Sequence, residues 1–145
     1  MLKFAKNADA MREACKKPYD NHCIVTSMPR GSLGFNGPLD GAHVFAAGDF
    51  TELAKCIQNG LPICRYRHNN PFGFPNGDFQ WCLDINGHGQ PRGALHRVEW
   101  LVRWTHGDFR SQVRDQLFDL VYYGAKICQK VKAMEDDLIV TLEEM

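Results

Sequence analysis

The sequence predicts an α+β fold: a mainly antiparallel sheet with a long C-terminal helix and shorter helices packed on one face. Three patterns carry this expectation. Apolar and polar residues alternate through about 61–104, which predicts a central three-strand meander. A 3.6-residue apolar period runs through 108–134. β-Branched clusters at 22–28 and 137–142 add outer strands. At 145 residues and 44% apolar content, the chain is expected to form a single domain, 1–145, with its own core.

The elements follow in chain order. Residues 1–17 predict a short amphipathic helix with Phe4, Met11 and Cys15 near one face, stopped by Pro18. HCIVTSM, 22–28, predicts a strand. The segment 29–41, PRGSLGFNGPLDG, holds four glycines and two prolines and predicts a loop of unusual length, the kind that carries function. A brief strand is expected over 42–46. Asp49, with Glu52 three residues on, predicts a capped helix ending at Gly60.

LPICRYRH, 61–68, predicts the first strand of the meander, with Arg65 and Arg67 on one face. The turn-rich stretch 69–78, NNPFGFPNGD, follows. In 79–85 the residues Phe79, Trp81, Leu83 and Ile85 alternate with polar ones, giving the second strand. In 94–104 a strand face would hold His96, Val98, Trp100, Val102 and Trp104. A helix would instead group Leu95, Val98, Leu101 and Val102, and the alternation favours the strand. The helix over 108–134 opens at Asp108 and buries Phe109, Val113, Leu117, Leu120, Val121, Gly124, Cys128 and Val131. DLIVTL, 137–142, predicts a terminal strand.

Composition narrows function mostly by exclusion. Seventeen basic residues balance seventeen acidic ones, which disfavours a nucleic-acid coat or a membrane-surface protein and leaves self-association into a homo-oligomer open. No apolar run approaches a membrane span, and residues 1–17 lack the apolar centre of a secretory signal. Six cysteines without a CxxC pair predict reduced core thiols in a cytoplasmic protein. The six histidines form no HxxxH or HExxH spacing, so no metal and no cofactor are expected. GSLG, 31–34, lacks the Lys-Ser or Lys-Thr pair of a phosphate loop, and no GxSxG elbow is present.

What remains points to a small non-enzymatic binding or inhibitory protein, with a protein partner expected first. Its surface would comprise the loops 29–41 and 69–78 and an Arg-bearing sheet face. The binding residues expected are Arg30, Arg65, Arg67, Phe72, Phe74, Arg97 and Arg103, because exposed aromatics flanked by arginines are common anchors of interfaces. The alternative is a hydrolase or nuclease-like enzyme using His96, Glu99 and His106 for acid–base chemistry. A second alternative is a single-stranded nucleic-acid binder, using arginines beside aromatics on the sheet.

Overall fold

The computed structural model describes residues 1–69 and 78–145. The fold is α+β, with an antiparallel two-stranded sheet and helices that lengthen toward the C-terminus. Helix α1 (Ala8–Ala14) starts at Asn7, whose side chain accepts from the Ala10 N–H at 2.8 Å. It is shorter than the 1–17 expected: Phe4 instead makes an isolated bridge with Cys56, and Lys17–Tyr19 form a separate 3₁₀ turn holding Pro18.

Strands β1 (Leu39–His43) and β2 (Gly60–Cys64) pair antiparallel, with Leu39 opposite Cys64 and His43 opposite Gly60. Helix α1 lies directly on this ribbon. A methyl group at Gly41 would stand 2.2 Å from the Arg12 carbonyl oxygen, and one at Gly60 would stand 2.7 Å from the Met11 sulfur. Glycine at both positions is what lets the helix backbone approach the strands.

The segment 22–28 is a tight turn rather than a strand. Its N–H groups close locally, Cys23 onto Met28 and Ser27 onto Cys23, and Ser27 adopts φ 63°. Ile24 reaches outward, donating to Pro62 and accepting from His106. Between the strands, the helix expected from Asp49 is replaced by 3₁₀ turns at Thr51–Leu53 and Ile57–Asn59. The Asp49 carboxylate accepts from Gly89, not from its own first turn. Gly60 is the stop expected, capping the Ile57–Asn59 turn with its N–H on the Ile57 carbonyl, and it also opens β2. The buried Asn59 side chain satisfies Phe45 and Leu53 backbone groups, fixing this connection.

Among the described residues of 61–104, one short strand and three helices stand where the three-strand meander was expected. After β2 the chain turns into α2 (Arg65–His68), then α3 (Trp81–Asn86) and α4 (Pro91–Trp104). Asp78 overrides the alternation of 79–85: its side chain accepts from the Trp81 N–H at 2.8 Å and starts a helix. Phe79, Cys82 and Leu83 then face inward at helical spacing, while Trp81 and Ile85 are exposed. In α4, Pro91 fits the first turn. Its buried stripe is Ala94, Arg97, Val98 and Leu101. The alternation misleads because the inward face of α4 is wider than the Leu95, Val98, Leu101 and Val102 stripe: Trp100, which that stripe leaves out, is buried too, as is Arg97.

The predicted helix 108–134 is two helices, α5 (Arg110–Ile127) and α6 (Gln129–Leu142). They meet at Cys128, whose extended backbone (φ −132°, ψ 111°) breaks the continuity. The apolar run 137–142 continues α6, not a strand. Val131, Met134, Leu138 and Leu142 repeat at three and four residues and are buried, while Val140 faces solvent.

Helices α4, α5 and α6 pack together, and with Phe45, Leu53, Leu61 and Ile63 they make the main core. Gln116 on α5 donates to the carbonyls of Gln58 and Gly60 and accepts from the Tyr19 hydroxyl, tying the helices to the ribbon. All six cysteines are buried free thiols. No helix among the described residues is long and apolar enough to cross a membrane.

Candidate functional site

Two features stand out, an anchored loop and a cleft beside it. The loop is shorter than expected, 29–38, because Leu39, Asp40 and Gly41 already belong to β1, and it is not loose. It turns through Arg30–Ser32 and Gly34–Asn36. A small second core of Cys23, Leu33, Leu39 and Cys64 lies beneath it. Asn36 is buried and donates to the Leu33 carbonyl at 3.0 Å. Gly34 and Gly37 both adopt positive φ, which lets the chain turn sharply on either side of Phe35. Phe35 therefore projects outward, 85% exposed, with its ring edge-on to Tyr66 at 5.9 Å.

In the small core the Cys64 thiol and the N–H groups of Cys64 and Thr26 face the Cys23 sulfur. They lower the Cys23 pKa, and the same pairing, with burial, raises that of Cys64.

The cleft runs between α1, β1, α2 and α4. Its outer cavity, of about 520 Å³, is lined by Asp9, Arg12, Glu13, Lys16, Asp40, Arg65 and His68 among others. Its charges pair off internally. Arg65 forks onto Asp40 through two nitrogen–oxygen contacts of 2.9 and 3.1 Å, and His68 Nδ1 lies 3.0 Å from the same carboxylate. Burial opposes ionisation of Asp40, but the hydrogen bonds from His68 and Arg65 outweigh it and hold its pKa below the usual value. Glu13 takes both Lys16 and Arg30, which lower its pKa too.

The inner cavity, of about 230 Å³, shares Arg12, Gly41 and His68 with the outer one. It adds His43, Gln80, His88 and Arg97, and among the described residues no carboxylate lines it. Arg97 is 3% exposed. It donates through Nη1 to the His43 carbonyl and through Nη2 to Gln80 at 3.0 Å, and its guanidinium lies 4.2 Å from the Phe79 ring centre. Its Nε–H has no partner. Burial pushes its pKa down to about 10, which still leaves it cationic at neutral pH. Burying such a charge costs several kcal/mol unless it is paired, and no carboxylate pairs with Arg97 among the described residues. His43 Nε2 lies 2.9 Å from the Ala54 carbonyl, so that nitrogen carries the proton. Burial first, and the Arg12 and Arg97 charges after it, lower the His43 pKa.

The expected binding residues are dispersed. Arg30 sits at the loop base with Glu13. Arg65 and Arg67 stand on α2, not on a sheet face, with the Arg67 guanidinium 5.5 Å from the Tyr66 ring centre. Arg97 lines the inner cavity from α4, while Arg103 is exposed at the far end of that helix, 5.0 Å from the Trp104 ring centre. Phe72 and Phe74 lie outside the described residues.

The acid–base trio is not assembled. His96 faces Asn86 and Trp81, Glu99 pairs with Arg92, and His106 accepts from the Asp108 N–H. Along the helix, His96 lies about 12 Å from Trp104, with His106 beyond it. Among the described residues no group of three or more His, Cys, Asp or Glu side chains is arranged to hold a metal ion.

Sequence reasoning missed Phe35, Arg12, His43, Gln80 and His88. For Phe35 a signal existed: one aromatic residue set between glycines in a loop that is otherwise small and polar. For the cleft residues none did, because they meet only when α1, β1 and α4 are folded together. Comparison with protein-family models, curated proteins and solved structures finds no match.

Proposed function

We propose that the chain is a non-enzymatic binding protein that grips a protein partner through the 29–41 loop and the surface beside it. The observation that carries this reading is Phe35, a large apolar side chain 85% exposed at the tip of a loop anchored by its own small core. A rigid, preorganised aromatic loses little conformational freedom on binding, which is why such residues dominate interfaces. Tyr66, whose ring meets Phe35 edge-on at 5.9 Å, extends the aromatic surface, and Arg65 and Arg67 are its chain neighbours on α2. A matching partner offers an apolar pocket bordered by acidic groups. The pairing of Glu99 with Arg92 and the placement of His106 beyond the far end of α4 from His96 favour binding over acid–base chemistry, and the position of Arg65, Arg67, Arg97 and Arg103 on two helices does not offer the continuous basic sheet that a single strand of nucleic acid would follow.

The test is retention of a stoichiometric partner by the tagged chain, compared with Phe35→Ala. Loss of a hot-spot aromatic weakens binding by about thirtyfold, with the melting temperature moving by no more than about 2 °C because the side chain is exposed. Equal retention by the variant overturns the proposal.

A further inference from the structure

We infer that the inner cavity is a binding site for a doubly charged oxyanion group, a phosphate or phosphoryl group, held by Arg97 from within and Arg12 at the mouth. This site is distinct from the Phe35 surface and does not depend on that reading.

Donor chemistry is the first support. A guanidinium has five N–H donors, and Arg97 uses only two, on the His43 carbonyl and Gln80. Its Nε–H has no acceptor although the residue is almost wholly enclosed. Buried polar groups in folded proteins are nearly always satisfied, so an orphan donor on a buried cation calls for an acceptor. An oxyanion in the cavity supplies the missing countercharge, and Arg97, which lines it, keeps a second N–H on each of Nη1 and Nη2 to meet its oxygens.

The surroundings agree. Arg12 and Arg97 are both permanent cations, and among the described residues no carboxylate lines the cavity. The nearest acids stand behind other groups. Asp40 is engaged by Arg65 and His68, Asp84 by His88, Asp49 by the Gly89 N–H, and the buried Asp78 by the Trp81 N–H. The Arg12 partner, Asp9, is 95% exposed and competes weakly for it. Two cations without an opposing lining charge match a dianion better than a carboxylate.

Size limits the ligand. A volume of about 230 Å³ corresponds to roughly eight water volumes of ~30 Å³ each. That admits a tetrahedral oxyanion with a few waters and excludes a whole nucleotide. A phosphoryl group on a larger molecule would enter while its carrier lies along the outer cavity, which joins at Arg12, Gly41 and His68.

The experiment is a titration of the full chain with inorganic phosphate at constant ionic strength, read by the Arg97 Nε–H resonance in nitrogen-15 NMR and by melting temperature. The expected result is a saturable resonance shift with a raised melting temperature. Sulfate should compete, and acetate should not at the same concentration. Arg12→Gln, at the partly exposed mouth, should weaken binding at least about tenfold, and Arg97→Met should do the same. If Arg97→Met fails to fold, Arg12→Gln decides. Phosphoserine binding tighter than phosphate identifies a carried phosphoryl group; equal binding identifies the free ion. Shifts that do not saturate, or that survive Arg12→Gln unchanged, overturn the proposal. Phe35→Ala should leave phosphate affinity unchanged, which separates this site from the loop surface.

Discussion

Gly41→Ala tests how the cleft is built. The added methyl would stand 2.2 Å from the Arg12 carbonyl oxygen, 2.7 Å from its Cα and 2.8 Å from its carbonyl carbon. Carbon atoms pack at about 3.5–4.0 Å, so α1 must move by about 1 Å. All three targets are backbone, and no side-chain rotation relieves the contact. Overpacking of this kind costs about 1–3 kcal/mol, and a backbone clash belongs at about 3. For a chain of this size each kcal/mol lowers the melting temperature by about 2–4 °C, so a drop of about 6–12 °C is expected. Differential scanning calorimetry and urea denaturation measure it. Gly48→Ala is the control: nothing lies within 4 Å of its added methyl, and its effect should stay within about 0.5 kcal/mol. A Gly41→Ala melting temperature within about 2 °C of the wild type would refute the close seating of α1 on β1, and with it the position of Arg12 in both cavities.

Other consequences follow from burial and charge. Because all six cysteines are buried, the native protein should show no thiol that reacts rapidly with Ellman's reagent, and the denatured protein should show all six; one fast thiol in the native state contradicts the packing. Asp40 has a folded pKa below its unfolded value, so its contribution to stability is present above about pH 4 and is lost as the pH falls through the folded value. Asp40→Asn should therefore destabilise at pH 7, and the difference from wild type should shrink below about pH 4; urea denaturation across that range checks it, and a constant difference would show that the carboxylate is not held by Arg65 and His68. Leu120→Ala, fully buried in the main core, should cost about 2–5 kcal/mol without changing phosphate affinity.

The parts of the fold that were legible are those where local pattern and tertiary burial agree. The α5 stripe of Val113, Leu117, Leu120 and Val121 has one reading, and the structure buries all four. The pattern misled where two periods overlap. Phe79, Trp81, Leu83 and Ile85 alternate like a strand, yet the Asp78 cap and the burial of Phe79, Cys82 and Leu83 choose the helix. In 137–142 the β-branched residues Ile139, Val140 and Thr141 argued for a strand, but Leu138 and Leu142 continue the inward face of α6.

The site was partly legible for a related reason. The 29–41 loop announced itself by glycine and proline, and Arg65 and Arg97 reach the cleft. Their setting was not legible, because a binary pattern treats every arginine as surface. Arg97 breaks that assumption: it is buried in α4 and lines the inner cavity. Arg12, His43 and His88 are far apart in sequence and converge only through packing, which no periodicity encodes.

The recognition surface is tested most directly by photo-crosslinking from the loop itself. A benzophenone side chain replacing Phe35, irradiated in cells that express the chain, should give one discrete adduct. The same group at Val140, which is 63% exposed on α6, should give none. A discrete adduct from position 140 with none from position 35 would contradict the account.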